Sequence, residues 1–112
     1  NRTKIIYLTA GSAILAIFML SFLQTVSQGK EIFLGAGCTN CHSFNGHGGE
    51  TAPDLTAVGE RRSTLWIMTQ IKAPKSHNPD SRMPEFPQLS MFERYAIARY
   101  QGIESNYSGR LP

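Results

Sequence analysis

The hydrophobic pattern divides the chain of 112 residues into two unequal parts. Residues 5–26 are mostly Ile, Leu, Ala, Phe and Met, and no charged side chain lies between Lys4 and Lys30. At ~1.5 Å per residue, a helix of this length reaches about 33 Å and can cross a hydrocarbon core of ~30 Å. The pattern therefore predicts a single N-terminal transmembrane anchor over residues 1–26.

Two other interpretations of the apolar segment are weaker. A secretory signal peptide has a similar basic start, but its apolar region usually has only about 7–15 residues. A buried core helix would need more surrounding chain than is left. Arg2 and Lys4 precede the span, so the positive-inside rule predicts a cytoplasmic N-terminus. The expected location is the bacterial cytoplasmic membrane, crossed once, with the remaining chain on the periplasmic or outer side.

Beyond the span, apolar positions recur at the helical period in three places. A short helix is predicted to run into Cys38, separated from the span by a few residues, 24–28. A second helix is capped by Ser63 or Thr64 and ends at Pro74. The third begins at the capping box of residues 90–93 and ends at a glycine, Gly102. Its apolar stripe consists of Phe92, Tyr95, Ala96 and Tyr100. The rest has no convincing alternating strand, so the predicted class is all-α with long loops.

Residues 38–42 read Cys-Thr-Asn-Cys-His, the C-x-x-C-H spacing that attaches haem covalently. Cys38 and Cys41 can add to two haem vinyl groups, and His42 then offers an imidazole to the iron. A structural zinc site needs four ligands and would have to recruit two of His42, His47 and His77. A thioredoxin-like pair belongs in a βαβ context, which the Gly-rich sequence after Cys41 does not offer. One covalently bound haem c is therefore the predicted cofactor.

Charge narrows the range of partners. The chain has eleven Lys and Arg against eight Asp and Glu, for a formal net charge of +3. Two of these cations, Arg2 and Lys4, flank the span, so the remaining domain is nearly neutral. A nucleic-acid partner would call for a marked basic face and is not expected.

The domain resembles the class I cytochrome c family. The resemblance rests on residues 38–42, on Ala-Pro-Asp-Leu at 52–55 with Val-Gly-Glu-Arg-Arg at 58–62, and on Ser-Arg-Met-Pro-Glu-Phe at 81–86. With the single span, the set is similar to the anchored cytochrome c subunits of nitric oxide reductases, haem-copper oxidases and bc-type quinol-oxidising complexes. It implies three or more helices around the haem over residues 27–101, after the anchor at 1–26 and before a C-terminal extension at 102–112.

The resemblance also implies the iron site. His42 is the proximal ligand, and the Pro53 carbonyl is expected to accept its Nδ1–H. Met83, followed by a proline in a loop, is the expected second axial ligand, and a thioether there raises the reduction potential. His77, in the same loop region, is the rival. Of the other methionines, Met19 lies in the span, whereas Met68 and Met91 are expected in the core.

Further residues are candidate haem contacts. Arg61, Arg62 and Trp66 are candidate partners of the haem propionates. The candidate pocket walls are Leu55, Val58, Ile71 and Phe86. For each of them an ordinary role, in a solvated turn or in core packing, stays open. His47 is expected at the surface.

The predicted function is one-electron transfer between a quinol-oxidising or periplasmic donor and a terminal acceptor. Since both axial positions would be filled, the chain itself is not expected to be an enzyme or to bind a small-molecule substrate. The expected partners are the lipid bilayer and membrane-embedded redox subunits, held permanently because the linker is short. The alternative is a gas-binding or sensor subunit in which Met83 does not ligate the iron.

Overall fold

Helices make up most of the computed structural model, which describes residues 1–108. The α-helices are α1 (Arg2–Gly35), α2 (Val58–Arg61), α3 (Thr64–Lys72) and α4 (Met91–Ser108). Short 3₁₀ turns occupy Cys38–Asn40 and Pro74–Ser76. The strands β1 (Ser43–Phe44) and β2 (His47–Gly48) form one antiparallel hairpin. The predicted all-α class is confirmed, with this hairpin as a small addition.

The first helix, α1, runs without interruption from the apolar segment into the part of the molecule that follows it. This part, from residue 27 onwards, is called the head. The predicted separation at residues 24–28 is therefore wrong. This segment, Gln-Thr-Val-Ser-Gln, has no Gly or Pro to break a helix, and the Thr25 hydroxyl donates to the Ser21 carbonyl within the helix at 2.9 Å. Within residues 1–108, α1 is the one helix both long and apolar enough to cross a membrane.

The two predicted helix starts are confirmed. Ser63 Oγ accepts a hydrogen bond from the Trp66 amide at 3.2 Å and caps α3. At the start of α4, Ser90 Oγ accepts from the Glu93 amide at 3.1 Å, and the Glu93 carboxylate accepts from the Ser90 amide at 2.7 Å. This reciprocal pair is a complete capping box, so the beginning of α4 is fixed by its own sequence.

The two long helices cross at Gly29. A Cβ at Gly29 would lie 2.6 Å from the carbonyl carbon of Ala96 and 2.9 Å from Cβ of Tyr100. Phe33, one turn further along α1, is 1% exposed, and its ring packs against those of Phe44 and Tyr100 at centroid distances of 5.4 and 5.8 Å. The crossing and this aromatic cluster form the centre of the core.

The last helix differs from its prediction at its C-terminal end. Gly102 does not end α4, which continues to Ser108. Helix α2 approaches α4 closely at this point because Gly59 has no side chain: a Cβ at Gly59 would lie 2.5 Å from the Gly102 Cα. The buried Ser105 hydroxyl donates to the Gln101 carbonyl and accepts from the Gly59 amide at 3.1 Å. The extension predicted for 102–112 is thus helical to Ser108, and residues 109–112 lie outside the described part.

The buried stripe of α4 is also displaced. Ala96, Ile97 and Tyr100 are buried, but Phe92 and Tyr95 remain exposed, and Met91 is exposed rather than in the core. The reason is the position of the crossing: α1 passes over α4 at Ala96, so the first turn of α4 extends beyond it. Met68 does pack against the core, as expected.

Candidate functional site

The segment of residues 38–42 is held in a tight backbone arrangement. After the 3₁₀ turn Cys38–Asn40, the His42 amide donates to the Cys38 carbonyl at 3.0 Å. Strand β2 lies against it so closely that a Cβ on Gly48 would overlap the His42 carbonyl oxygen. Cys38 is half-buried against the core, Cys41 is exposed, and the two thiols are free. Two thiols and an imidazole are thus presented from one short, rigid stretch.

The hairpin that supports this segment has a signal that the sequence interpretation missed. Asn45 and Gly46 both have positive φ, of 51° and 79°, as a two-residue type I′ turn requires. Asn-Gly between two short segments is the strongest local hairpin signal, although strands of two residues are too short to show alternation. His47 is exposed on β2, as expected.

The side-chain geometry disfavours a zinc site. Cys38 is half-buried, and this burial raises the pKa of its thiol to about 11. Within residues 1–108, no three His, Cys, Asp or Glu side chains come together in a group that could hold a metal ion. His42, His47 and His77 therefore do not complete the four-ligand set that zinc would need.

The His42 ring is fixed by a hydrogen bond to the opposite loop. Its Nδ1 lies 2.6 Å from the Pro53 carbonyl oxygen, the contact that the family resemblance implies. A carbonyl can only accept, so the proton resides on Nδ1 and Nε2 keeps its lone pair. This is how proteins orient a metal-binding imidazole. The geometry makes Nε2 a competent iron ligand; the ligation itself stays a prediction.

The loop that carries Pro53 is held by the Asp54 side chain. Asp54 Oδ1 accepts from the Thr56 hydroxyl at 2.7 Å and from the Thr56 amide at 3.0 Å. The Thr56 hydroxyl oxygen accepts in turn from the Asn45 amide at 2.9 Å. The bonds from Thr56 hold the pKa of the Asp54 carboxyl below its ordinary value of 3.8. The Asp54 carboxylate holds Thr56, and Thr56 in turn binds the hairpin at Asn45. The loop that orients His42 is thereby attached to the hairpin.

Asp54→Asn should destabilise the protein at pH 6 and have a smaller effect at pH 3. A carboxyl with a lowered pKa in the folded state contributes stability above its unfolded pKa, and this is lost as pH falls through the folded pKa. Guanidinium unfolding midpoints at the two pH values would measure this. Asp80→Asn is the matched control, because no hydrogen bond to the Asp80 carboxylate is found in the described part. An equal effect of Asp54→Asn at both pH values would contradict the assignment.

The two candidates for the second iron ligand bind the same amide. Gln70 Nε2 donates to the Met83 sulfur at 3.6 Å, and Gln70 Oε1 lies 2.8 Å from His77 Nδ1. His77 stacks on Trp66 with a centroid distance of 4.3 Å and an interplanar angle of 3°. Arg62 lies over the same indole, 4.4 Å from its centroid. Gln70 is a site residue that the sequence interpretation missed, because one amide on a helix carries no local signal.

The environments of the two candidates differ. Met83 is half-buried and packs against the hydrophobic core, where a weak thioether ligand is protected from competing water. His77 is exposed, and its Nδ1 and ring face are already engaged by Gln70 and Trp66. This arrangement favours Met83, and its ligation stays a prediction.

The other predicted haem contacts lie partly at the surface and partly in the core. The Arg61 guanidinium donates to the Asp54 carbonyl at 3.3 Å. Val58 and Ile71 are buried core residues, against which Leu55, Trp66 and Phe86 pack. The apolar residues thus lie in one continuous core. The propionate contacts of Arg61, Arg62 and Trp66 stay predictions.

Comparison with known proteins identifies the family. The family model described as Cytochrome c matches residues 26–100. The chain belongs to the cytochrome c family. The match begins inside α1 and ends within α4, so it includes the helix crossing, residues 38–42, Pro53 and Met83.

Two respiratory proteins are among the relatives of this cytochrome c domain. The subunit CcoP of a cbb3-type cytochrome c oxidase from Helicobacter pylori is 34% identical over 73 residues, covering 61% of this chain and 26% of the relative. Cytochrome c oxidase subunit 2 from Alkalihalophilus pseudofirmus is 27% identical over 82 residues, covering 66% of this chain and 24% of the relative. The matches thus span about a quarter of each relative's length. No solved structure matches the chain significantly.

The residues of this cytochrome c domain fit a covalently attached haem. The family implies haem c, and two free thiols in C-x-x-C-H spacing are the groups that form its thioether links. The adjacent imidazole has its Nδ1 held and its Nε2 lone pair available, and the half-buried Met83 thioether is the predicted second axial donor. This donor set of two thiols, one imidazole and one thioether matches haem c.

Proposed function

We propose that this chain is a membrane-anchored, mono-haem cytochrome c that transfers one electron at a time within a membrane redox complex. Cys38 and Cys41 would hold the haem, with His42 and Met83 as axial ligands. The observation that carries this proposal is the bond from His42 Nδ1 to the Pro53 carbonyl, directly after the C-x-x-C spacing. It orients the imidazole as an iron ligand, and an iron whose second axial position is also filled, here by Met83, would exchange electrons without binding substrate.

The chain's own residues would set the properties of the electron carrier. When bound, haem takes up and releases one electron between Fe(III) and Fe(II). A thioether ligand such as Met83 favours the reduced state and raises the potential. The Gln70 amide, which donates to the same sulfur, withdraws electron density from it and acts in the same direction. The core residues around Met83 exclude water, which would otherwise stabilise the oxidised state.

The partners are proposed from the relatives' names. Both are named as subunits of cytochrome c oxidases, so a terminal oxidase complex is the proposed setting. The proposed division is an anchor over 1–26, a haem domain over 27–101 and an extension over 102–112, with the haem on the periplasmic or outer side. Because α1 is uninterrupted, no flexible linker lets the head move between distant partners. This supports permanent membership of the complex.

Two measurements on the full haem-loaded chain test this function. A potentiometric titration should give a single one-electron transition, and a second transition would contradict the mono-haem proposal. The ferrous protein should form no carbon monoxide adduct within minutes at neutral pH, because Met83 occupies the second axial position. Met83→Ala is the positive control and should bind carbon monoxide promptly. Prompt binding by the wild type would favour a gas-binding or sensor subunit instead.

A further inference from the structure

One face of α4 is directed towards the membrane end of α1. The helices cross at Gly29, and Tyr95 and Arg99 lie beside the part of α1 that precedes this crossing. Phe92 and Ile103 are at helical spacing from them and belong to the same face. Phe92 is 55% exposed and Tyr95 is 40% exposed. An aromatic and cationic face is thus directed towards the end of the apolar span.

Two cavities meet on this face at Arg99. The first, of about 210 Å³, lies against the end of the span and is lined by Phe18, Phe22, Val26 and Tyr95 among others. The second, of about 370 Å³, extends along α4 to α2 and α3, and its lining includes Arg62, Ser63 and Thr64. Arg99 lines both. The two cavities therefore adjoin at the Arg99 side chain, and the groove that they make up is mostly apolar beside the span and more polar beyond it.

The groove has a clear charge preference. Its lining residues include Arg99 and Arg62 and no acidic residue, and the Arg62 guanidinium lies over the Trp66 ring at the edge of the second cavity. Arg99 Cζ lies 5.5 Å from the centroid of the Phe22 ring, and no carboxylate of the described residues pairs with Arg99. Guanidinium groups bind phosphate through paired N–H donors. The charges therefore fit an anionic group whose apolar part continues along α1.

We propose that this groove binds one anionic phospholipid. Its phosphate would lie between Arg99 and Arg62, and an acyl chain would follow Phe22 and Phe18 along α1. The site requires α1 to cross the bilayer and does not depend on which residues ligate the iron.

Native mass spectrometry of the full haem-loaded chain in neutral detergent tests the site. We expect the chain to retain one palmitoyl-oleoyl-phosphatidylglycerol and to prefer it over the phosphatidylcholine with the same chains. Arg99→Gln should lower this preference about five-fold, the factor for one Arg near an anionic headgroup. Lys75→Gln, an exposed charge outside the groove, should change nothing, and the haem spectrum should be unchanged in both. Equal retention of both lipids, or an unaffected Arg99→Gln variant, would overturn the proposal.

Two further measurements exclude other occupants. Inorganic phosphate should fail to displace the lipid, whereas a site for free phosphate would retain phosphate without lipid and overturn the proposal. In native membranes, benzoylphenylalanine in place of Phe22 should crosslink to phospholipid. Crosslinking to a polypeptide would show that a neighbouring subunit covers the groove, and the lipid site would be rejected.

Discussion

Replacing Met83 with alanine is expected to abolish the weak far-red charge-transfer band of the oxidised protein, which reports a bond between methionine sulfur and ferric haem. The reduction potential should fall by on the order of 100 mV, because axial ligands set haem potentials over a range of about 0.8 V and a thioether favours the reduced state. The optical spectrum and a potentiometric titration of the full chain would measure both changes.

Three further variants make the Met83 prediction specific. Met68→Ala removes another methionine that packs against the core and should keep the band. Gln70→Leu removes the donor to the Met83 sulfur and should keep the band while lowering the potential by about 30 mV, the order of one modest hydrogen bond. His77→Ala should also keep the band. If Met83→Ala retained the wild-type spectrum and potential while His77→Ala changed both, His77 would be the ligand.

The second large effect is expected from Gly29→Ala. The added methyl group would overlap the Ala96 backbone at the crossing of α1 and α4, where no flexible side chain can move aside. Overpacking against backbone should lower the free energy of unfolding by about 3 kcal/mol. For a domain of this size that corresponds to a fall of at least about 10 °C in Tm, measurable by circular dichroism.

Gly35→Ala is the matched control for the crossing. It lies at the end of the same helix, and a Cβ there meets nothing within 4 Å. Since alanine has a higher helix propensity than glycine, this variant should be as stable as the wild type or slightly more so. Equal stability of the Gly29 and Gly35 variants would show that the close approach does not hold the head together.

Local signals in the sequence predicted local structure well. The capping residues Ser63 and Ser90 act on backbone amides within three positions, so their effects depend on no distant contact. The C-x-x-C-H spacing is equally local. The prediction of a membrane span needed only the length and the composition of the apolar segment.

The sequence predictions were wrong or incomplete where the structure depends on contacts between residues far apart in the chain. Gly102 is a plausible helix stop by itself, but Gly59 packs on it and Ser105 accepts from the Gly59 amide, so the helix continues. Gln70 became part of the site only when folding brought Met83 and His77 to its two ends. The contact from His42 to Pro53 was predicted by family resemblance, since a spacing of eleven residues does not specify it.

Because α1 is uninterrupted, the number of residues between the span and Cys38 sets both the height of the head above the membrane and the direction that it faces. Each residue inserted between the span and Cys38 would raise the head by about 1.5 Å and rotate it by about 100° around the helix axis. One added residue would thus change the facing of the head while hardly changing its distance from the bilayer. Seven residues, about two turns, would nearly restore the original facing about 10 Å further out. Because α1 has no flexible joint, insertions can change the distance between the head and the bilayer only in coarse steps if the facing of the head is to be preserved.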